Sequence, residues 1–272
     1  MKRTIILWLI ALVVTVFTAI FQRITGPTYP IYGEANLLDQ NIKYKLERSH
    51  SSSKPYQIKL DVKSENIAGV LYYKRHKTKD DWTTIKMEYL EGFLVAELPP
   101  QPPAGKLEYK IELTYNNEKV VIPEKGKVII RFKGDVPALA LILHIIFIFL
   151  AMIFSTRTGL EYFNTNPNYK IKMYLTVLFL FLGGFLFGPL VQYYAFGAWW
   201  TGIPFGYDLT DNKTLIAFIG WLFALIRFNK SPKADKWILL AAILMLIIFL
   251  IPHSLLGSEL DYSKIDSVNF QE

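Results

Sequence analysis

Cysteine is absent from this 272-residue chain. That excludes a disulfide framework, a thiolate metal site, a cysteine nucleophile and covalent attachment of a c-type haem. A water-exposed domain here must stand on its own apolar core, and about a hundred residues suffice for that. Histidine is scarce, four residues in all. Mechanistic motifs are missing too: there is no nucleophile elbow, Walker A loop, dinucleotide fingerprint or zincin helix. These absences argue against an enzyme, except one built from scattered membrane residues. No internal repeat is present.

What is abundant is apolar sequence. The chain is 52% hydrophobic, with a mean hydropathy of +0.25 and a pI near 9.3, which points to a bilayer rather than to water as its main solvent. The first apolar run, 4–21, follows Lys2 and Arg3. It gives about 27 Å of helix at 1.5 Å per residue, close to the ~30 Å hydrocarbon core. The stretch Phe17-Thr18-Ala19-Ile20-Phe21-Gln22 offers no Ala-x-Ala-like cleavage site, so 1–23 is expected as an uncleaved anchor. Four more runs, near 136–154, 173–196, 214–228 and 237–251, make five expected spans, the last four forming a transmembrane region over 135–256. The two short runs need snorkelling of Arg227 and interfacial placement of Trp237. The alternative count is four, with one of them re-entrant.

The formal charge of +7 lies in the loops. Lys2, Arg3, Arg157, Lys170, Lys172, Arg227, Lys230, Lys233 and Lys236 fall on one side, against Glu161 and Asp235. The other side holds Arg23, Lys213 and Lys264 with Asp208, Asp211, Glu259, Asp261, Asp266 and Glu272. The positive-inside rule then predicts a cytoplasmic N-terminus, with the 24–134 segment and an acidic tail over 257–272 outside. The basic pI is thus a topogenic signal and not a nucleic-acid footprint. The expected partners are the lipid bilayer and another envelope or membrane protein. The expected location is a multi-pass position in the cytoplasmic (inner) membrane, whose outside is the periplasm in a Gram-negative cell.

Segment 24–134 changes to short alternating runs bounded by Pro, Gly, Asn and Ser, the pattern of strands and turns. Strands are expected over 41–48, 56–62, 68–75, 82–89, 93–98, 107–115, 119–122 and 127–132. Glu91-Gly92 and Asn116-Asn117 are expected hairpin turns. Seven or eight antiparallel strands favour a two-sheet sandwich. Through Tyr72-Tyr73, Trp82, the Gly92 to Pro99 run and Leu107-Glu108-Tyr109-Lys110-Ile111, this segment resembles immunoglobulin-like and fibronectin type III-like domains. The resemblance covers the β segment alone, and it implies adhesion or assembly rather than chemistry. The expected fold class is therefore an α+β membrane protein: five transmembrane helices, with an all-β sandwich inserted between the first two.

Four residues are candidates for a site. His144 lies inside the second span and needs a polar partner there. An interhelical bond to Gln192 or a tyrosine would supply one. Ligation of a b-type haem together with His253, just past Pro252, is the functional alternative. Asp208 and Asp211 close an outer loop rich in Trp, Gly and Pro, over 196–213. They could hold a divalent cation; otherwise Asp211 or Asn212 is an expected N-cap for a helix starting near Thr214. No cofactor is predicted outright. The run Gly183-Gly184-Phe185-Leu186-Phe187-Gly188-Pro189 predicts close packing and a bend in the third span, which could also line a cavity.

The reading that uses the largest features is an interaction or assembly subunit of a cell-envelope complex, binding its partner through the β domain. The alternative is a redox or transport protein with a haem, ion or small-ligand site in the outer half of the bundle.

Overall fold

A computed structural model of the chain describes residues 2–37, 40–231, 235–253, 255, 257 and 259–269, the side chains of 267–269 excepted. Lys233 and Glu272, counted above in the charge pattern, lie outside the described residues. The fold is mixed α and β. It divides into two compact units, Met1–Pro27 with Val136–Ser258, and Thr28–Asp135 with Glu259–Glu272.

The first unit is helical. Helix α1 (Lys2–Ile24) is a run of Leu, Ile, Val, Ala and Phe without Gly or Pro, and it buries only Ala11, Thr15 and Thr18. In lipid, the backbone must satisfy its own hydrogen bonds, so such a run is helical despite its β-branched residues. Helix α2 (Ala138–Leu160) starts behind Pro137 and runs into a 3₁₀ turn, Glu161–Phe163. The third apolar stretch has three parts: α3 (Lys170–Phe181), a π-helical turn (Leu182–Phe187) and α4 (Gly188–Phe196). The π turn falls on the expected Gly-Gly to Pro bend. A Cβ on Gly183 would stand 2.9 Å from the Ile148 backbone nitrogen, so the missing side chain is what lets this stretch approach α2.

Helix α5 (Leu209–Lys230) and helix α6 (Asp235–Leu250) complete the bundle around Trp221, Met173, Leu180 and Met245. Among the described residues, four helical stretches are long and apolar enough to cross a membrane: Lys2–Ile24, Ala138–Phe163, Lys170–Phe196 and Leu209–Lys230. The chain is therefore a membrane protein by length and composition. The expected fifth span corresponds to α6, which has 16 described residues and ends before Pro252. That is about 24 Å of helix, shorter than the other four.

The second unit carries the eleven strands of the described residues, which lie in sequence between α1 and α2. A hairpin pairs β1 (Ile31–Leu37) with β2 (Gln40–Leu46). A six-stranded sheet has the order β3 (Ser49–Ser51), β11 (Val128–Lys133), β9 (Lys106–Tyr115), β5 (Ala68–Arg75), β6 (Thr83–Lys86), with β10 (Glu118–Ile122) also on β9. A three-stranded sheet has the order β4 (Tyr56–Asp61), β8 (Phe93–Leu98), β7 (Glu88–Leu90). Among the described residues the strand pairings are antiparallel except β3 with β11.

Alternation decides which side chains point inward. In β4, Tyr56, Ile58 and Leu60 are buried while Gln57, Lys59 and Asp61 face water. They join Leu37, Ile42, Leu71, Leu94, Tyr109 and Phe132 in one core. Both expected hairpin turns form with two central residues at positive φ, Glu91 and Gly92 at 50° and 89°, Asn116 and Asn117 at 47° and 69°. These φ values match the two-residue turns whose twist fits paired strands. Two strands, β1 and β3, were not expected from the sequence, and the expected 82–89 strand breaks at Met87 into β6 and β7. The C-terminal segment folds with this unit and forms helix α7 (Tyr262–Asn269).

Candidate functional site

The outer loop after α4 is organised by one carboxylate. Asp211, 6% exposed, uses Oδ2 to accept from the Thr201 amide at 2.6 Å, the Gly202 amide at 3.0 Å, the Thr201 hydroxyl at 3.1 Å and Gln192 Nε2 at 3.1 Å. Asn212 Oδ1 accepts from the Ile203 amide at 2.7 Å. A Cβ on Gly202 would lie 2.7 Å from Asp211 Cβ, so a side chain there would displace the loop from its carboxylate. Asp208 has a separate role. It is the N-cap of α5 and accepts from the Thr210 amide at 2.7 Å. The helix thus starts at Leu209, five residues before the expected start, and the cap is Asp208 rather than Asp211 or Asn212. The reason is local: a short acid two residues before Thr210 satisfies an otherwise orphan amide.

Asp208 and Asp211 thus have separate structural partners. One caps a helix, and the other spends Oδ2 on four donors. Among the described residues, no three His, Asp or Glu side chains come together in a group that could hold a metal ion.

His144 does find an interhelical partner, though not Gln192 or a tyrosine. Its Nδ1 lies 2.8 Å from the Gly183 carbonyl in the π turn. Since a carbonyl only accepts, Nδ1 carries the proton and Nε2 keeps its lone pair. Gln192 instead serves Thr201 and Asp211. The sequence does bring the two intramembrane candidates together: His144 and His253 line one cavity of about 80 Å³ with Thr18, Gln22 and Phe249. Gln22 donates to the Phe249 and Ile251 carbonyls, and Lys213 Nζ donates to Ile251 as well. Ligand sites usually occupy ~300–1,000 Å³, and this cavity has the size of a few waters.

At the other end of the bundle lies a buried ionic cluster. Glu161 Oε1 is 2.7 Å from Arg157 Nη1 and 3.0 Å from Lys172 Nζ, and Oε2 accepts from Asn164 Nδ2 at 2.7 Å. The Arg157 side chain is 2% exposed, with the Trp8 ring 5.5 Å from its guanidinium carbon. Sequence reading counted these residues as loop charges. The i,i+4 spacing of Arg157 and Glu161 was the available signal for the pair.

The β unit carries a cleft of about 600 Å³ between the 75–80 turn and the C-terminal segment. Arg75 forks to two carboxylates: Nε donates to Asp80 at 2.6 Å, while Nη1 and Nη2 donate to Asp266 at 2.7 and 3.0 Å. The Tyr262 ring lies 5.0 Å from the Arg75 guanidinium. The Tyr262 hydroxyl accepts from the Lys106 amide at 3.0 Å and stands 3.0 Å from Gln101 Oε1, which can take its proton. Glu259 meets Lys77 at 2.7 Å and Lys106 at 3.6 Å. Beneath it, Glu108 meets His76 and Lys127 at 2.7 and 2.6 Å.

These contacts move the acids. Arg75 hydrogen bonding holds the Asp80 carboxyl below its ordinary value. For Glu259, burial pushes upward, but the Lys77 bond and the Lys106 and Lys77 charges outweigh it and leave the carboxyl lowered. Burial pushes the Tyr262 phenol up to about 12. None of this cluster was singled out by sequence reading. Its only trace there is complementarity between the basic Arg75-His76-Lys77 run and the acidic tail.

No known family model matches this chain and no curated protein matches it, so function is read from the geometry alone.

Proposed function

We propose that the chain is a five-span component of the cytoplasmic (inner) membrane which presents an immunoglobulin-like unit outside and binds another envelope protein through it. Loop charge supports the orientation, with the lysine-rich ends inside. Connectivity supports the fifth span. The strands follow α1, and the C-terminal segment follows α6, yet both belong to one compact unit. Four crossings would leave them on opposite sides of the bilayer, whereas a fifth crossing by α6 returns the tail to the strands. Its 16 residues require local thinning or flanking polar residues, at fractions of a kcal/mol per Å.

Strand order supports the sandwich. The order β4-β8-β7 matches B-E-D, and β6-β5-β9-β11 matches C′-C-F-G.

The observation that carries the binding role is the run Thr83–Leu90. Among the described residues, its two strands are the terminal members of different sheets, β6 paired with β5 and β7 with β8. The run exposes Leu90 (52%) and Tyr89 (38%), and it follows Trp82 (36%). Open strand edges with apolar side chains template the addition of another strand. Lys74 and Lys110 stand 5.6 and 5.3 Å from the Trp82 ring, which favours an acidic partner segment. Co-purification from detergent-solubilised native membranes tests this: a protein retained by the wild-type chain should be lost with Leu90→Asp. Undiminished recovery in that variant, with its fold intact, would overturn the proposal.

The rival reading, transport or redox chemistry in the bundle, rests on the shared His144 and His253 cavity. Its volume of about 80 Å³ narrows that reading to water or a small ion.

A further inference from the structure

The C-terminal segment and the surface that receives it are built to different standards. Of the tail's described side chains, Tyr262 is the buried one. The ion pairs around it are partly open to water: the Asp266 side chain is 40% exposed and that of Lys77 68%. Partly solvated pairs of this kind are screened by salt. Helix α7 has eight residues, too few to persist alone in water.

The receiving surface belongs to the sheet. Lys106 opens β9, the Glu108 side chain is 4% exposed, and Tyr109 beside it is fully buried. A Cβ on Gly105 would lie 2.8 Å from the Pro102 carbonyl oxygen, 2.9 Å from Gln101 Cβ and 3.0 Å from the Tyr262 hydroxyl, so its own turn and the tail both close over that position. The sheet therefore holds the tail through partly solvated polar contacts around one buried side chain, and a cleft of about 600 Å³ remains beside it.

We infer that this cleft is a peptide-recognition site, that the C-terminal segment is its displaceable resident, and that its external ligand is an acidic segment of a partner with the spacing Glu-x-x-Tyr-x-x-x-Asp. The inference rests on the reading of the β unit as the binding unit. The spacing is that of Glu259, Tyr262 and Asp266. Each position has its own reader. Lys77 and Lys106 take the first acid, the Lys106 amide and Gln101 take the phenol, and the Arg75 fork takes the last acid. A planar guanidinium suits this role because it binds carboxylate two-pronged and stacks on an aromatic ring at once. The resident competes at an effective concentration on the order of millimolar, so an external ligand sees only the small open fraction.

The probe is a fluorescent synthetic peptide of residues 257–272, titrated by anisotropy onto the full-length chain and onto one truncated after residue 256. Saturable binding to the truncated chain is expected, at least ~10-fold tighter than to the intact chain, weakened by salt and lost with Arg75→Ala. Should truncation destabilise the fold, the full-length Glu259→Lys, Asp266→Lys variant, whose tail is repelled, takes its place. No saturable binding to the folded tail-free or tail-repelled chain overturns the inference, and so does equal binding to the intact chain. The assay contains no partner protein. Failure here with Leu90-dependent co-purification intact removes only this inference, whereas loss of that co-purification leaves the cleft measurement standing by itself.

Discussion

Asp211 Oδ2 lies 2.6 Å from the Thr201 amide nitrogen, ten residues earlier in the chain, and that one contact closes the aromatic loop over the start of α5. The same oxygen holds the Gly202 amide at 3.0 Å. The carboxylate serves as an internal replacement for water around backbone donors that have no helix or sheet to join.

Asp211→Ala should therefore strand at least two buried amides, at about 1–3 kcal/mol each. Thermal unfolding in detergent should shift down by several degrees, and Asp211→Asn should recover part of the loss. On this account a chelator should leave the wild-type transition unmoved, because protein donors engage the carboxylate. A chelator-induced fall matching that of the alanine variant would restore the cation reading.

Glu161 is the single acid between Arg157 and Lys172. Glu161→Gln leaves two cations buried beside a neutral amide, and breaking a buried pair in this way costs on the order of 3 kcal/mol. Exposed Glu118 provides the control, and Glu118→Gln should change stability by less than ~0.5 kcal/mol. Equal effects would mean that the cluster does not hold α2 to α3.

Acid should release the tail. Asp80 and Glu259 sit below their ordinary values of 3.8 and 4.5 in the folded chain. A lowered folded value gives stabilisation that is complete above the ordinary value and is lost as pH falls through the folded one. Protection of α7 amides from hydrogen exchange should be constant from pH 7 to 5 and should fall below about 4. Protection that rose on acidification would reverse the assigned sign.

Much of this architecture was legible in the sequence, for identifiable reasons. The apolar runs reveal the helices because lipid leaves a backbone no other choice. Glu91-Gly92 and Asn116-Asn117 reveal hairpins because few residues tolerate two successive positive φ angles. Strand β1 was hidden because Ile31-Tyr32-Gly33-Glu34-Ala35 has weak strand propensity, and tertiary packing of Ala35 and Leu37 into the core decides it.

Sites were less legible. The sequence places His144 inside a span and His253 just past Pro252 at a span's end, without specifying that they share a cavity, and the Gly183 partner depends on a π turn that no side-chain pattern specifies. The Arg75, Tyr262 and Asp266 cluster joins residues almost two hundred positions apart. Such contacts are fixed by the folded chain and leave only complementary charge in the sequence.

The most direct measurement is site-specific photocrosslinking in native membranes, with the crosslinker at position 89 and a control at Lys43, whose side chain is 81% exposed on the same unit. A discrete adduct from position 89, absent from position 43 and abolished by Leu90→Asp, is the predicted result. No adduct, or the same adducts from both positions, would contradict a partner bound at the open edge of the β unit.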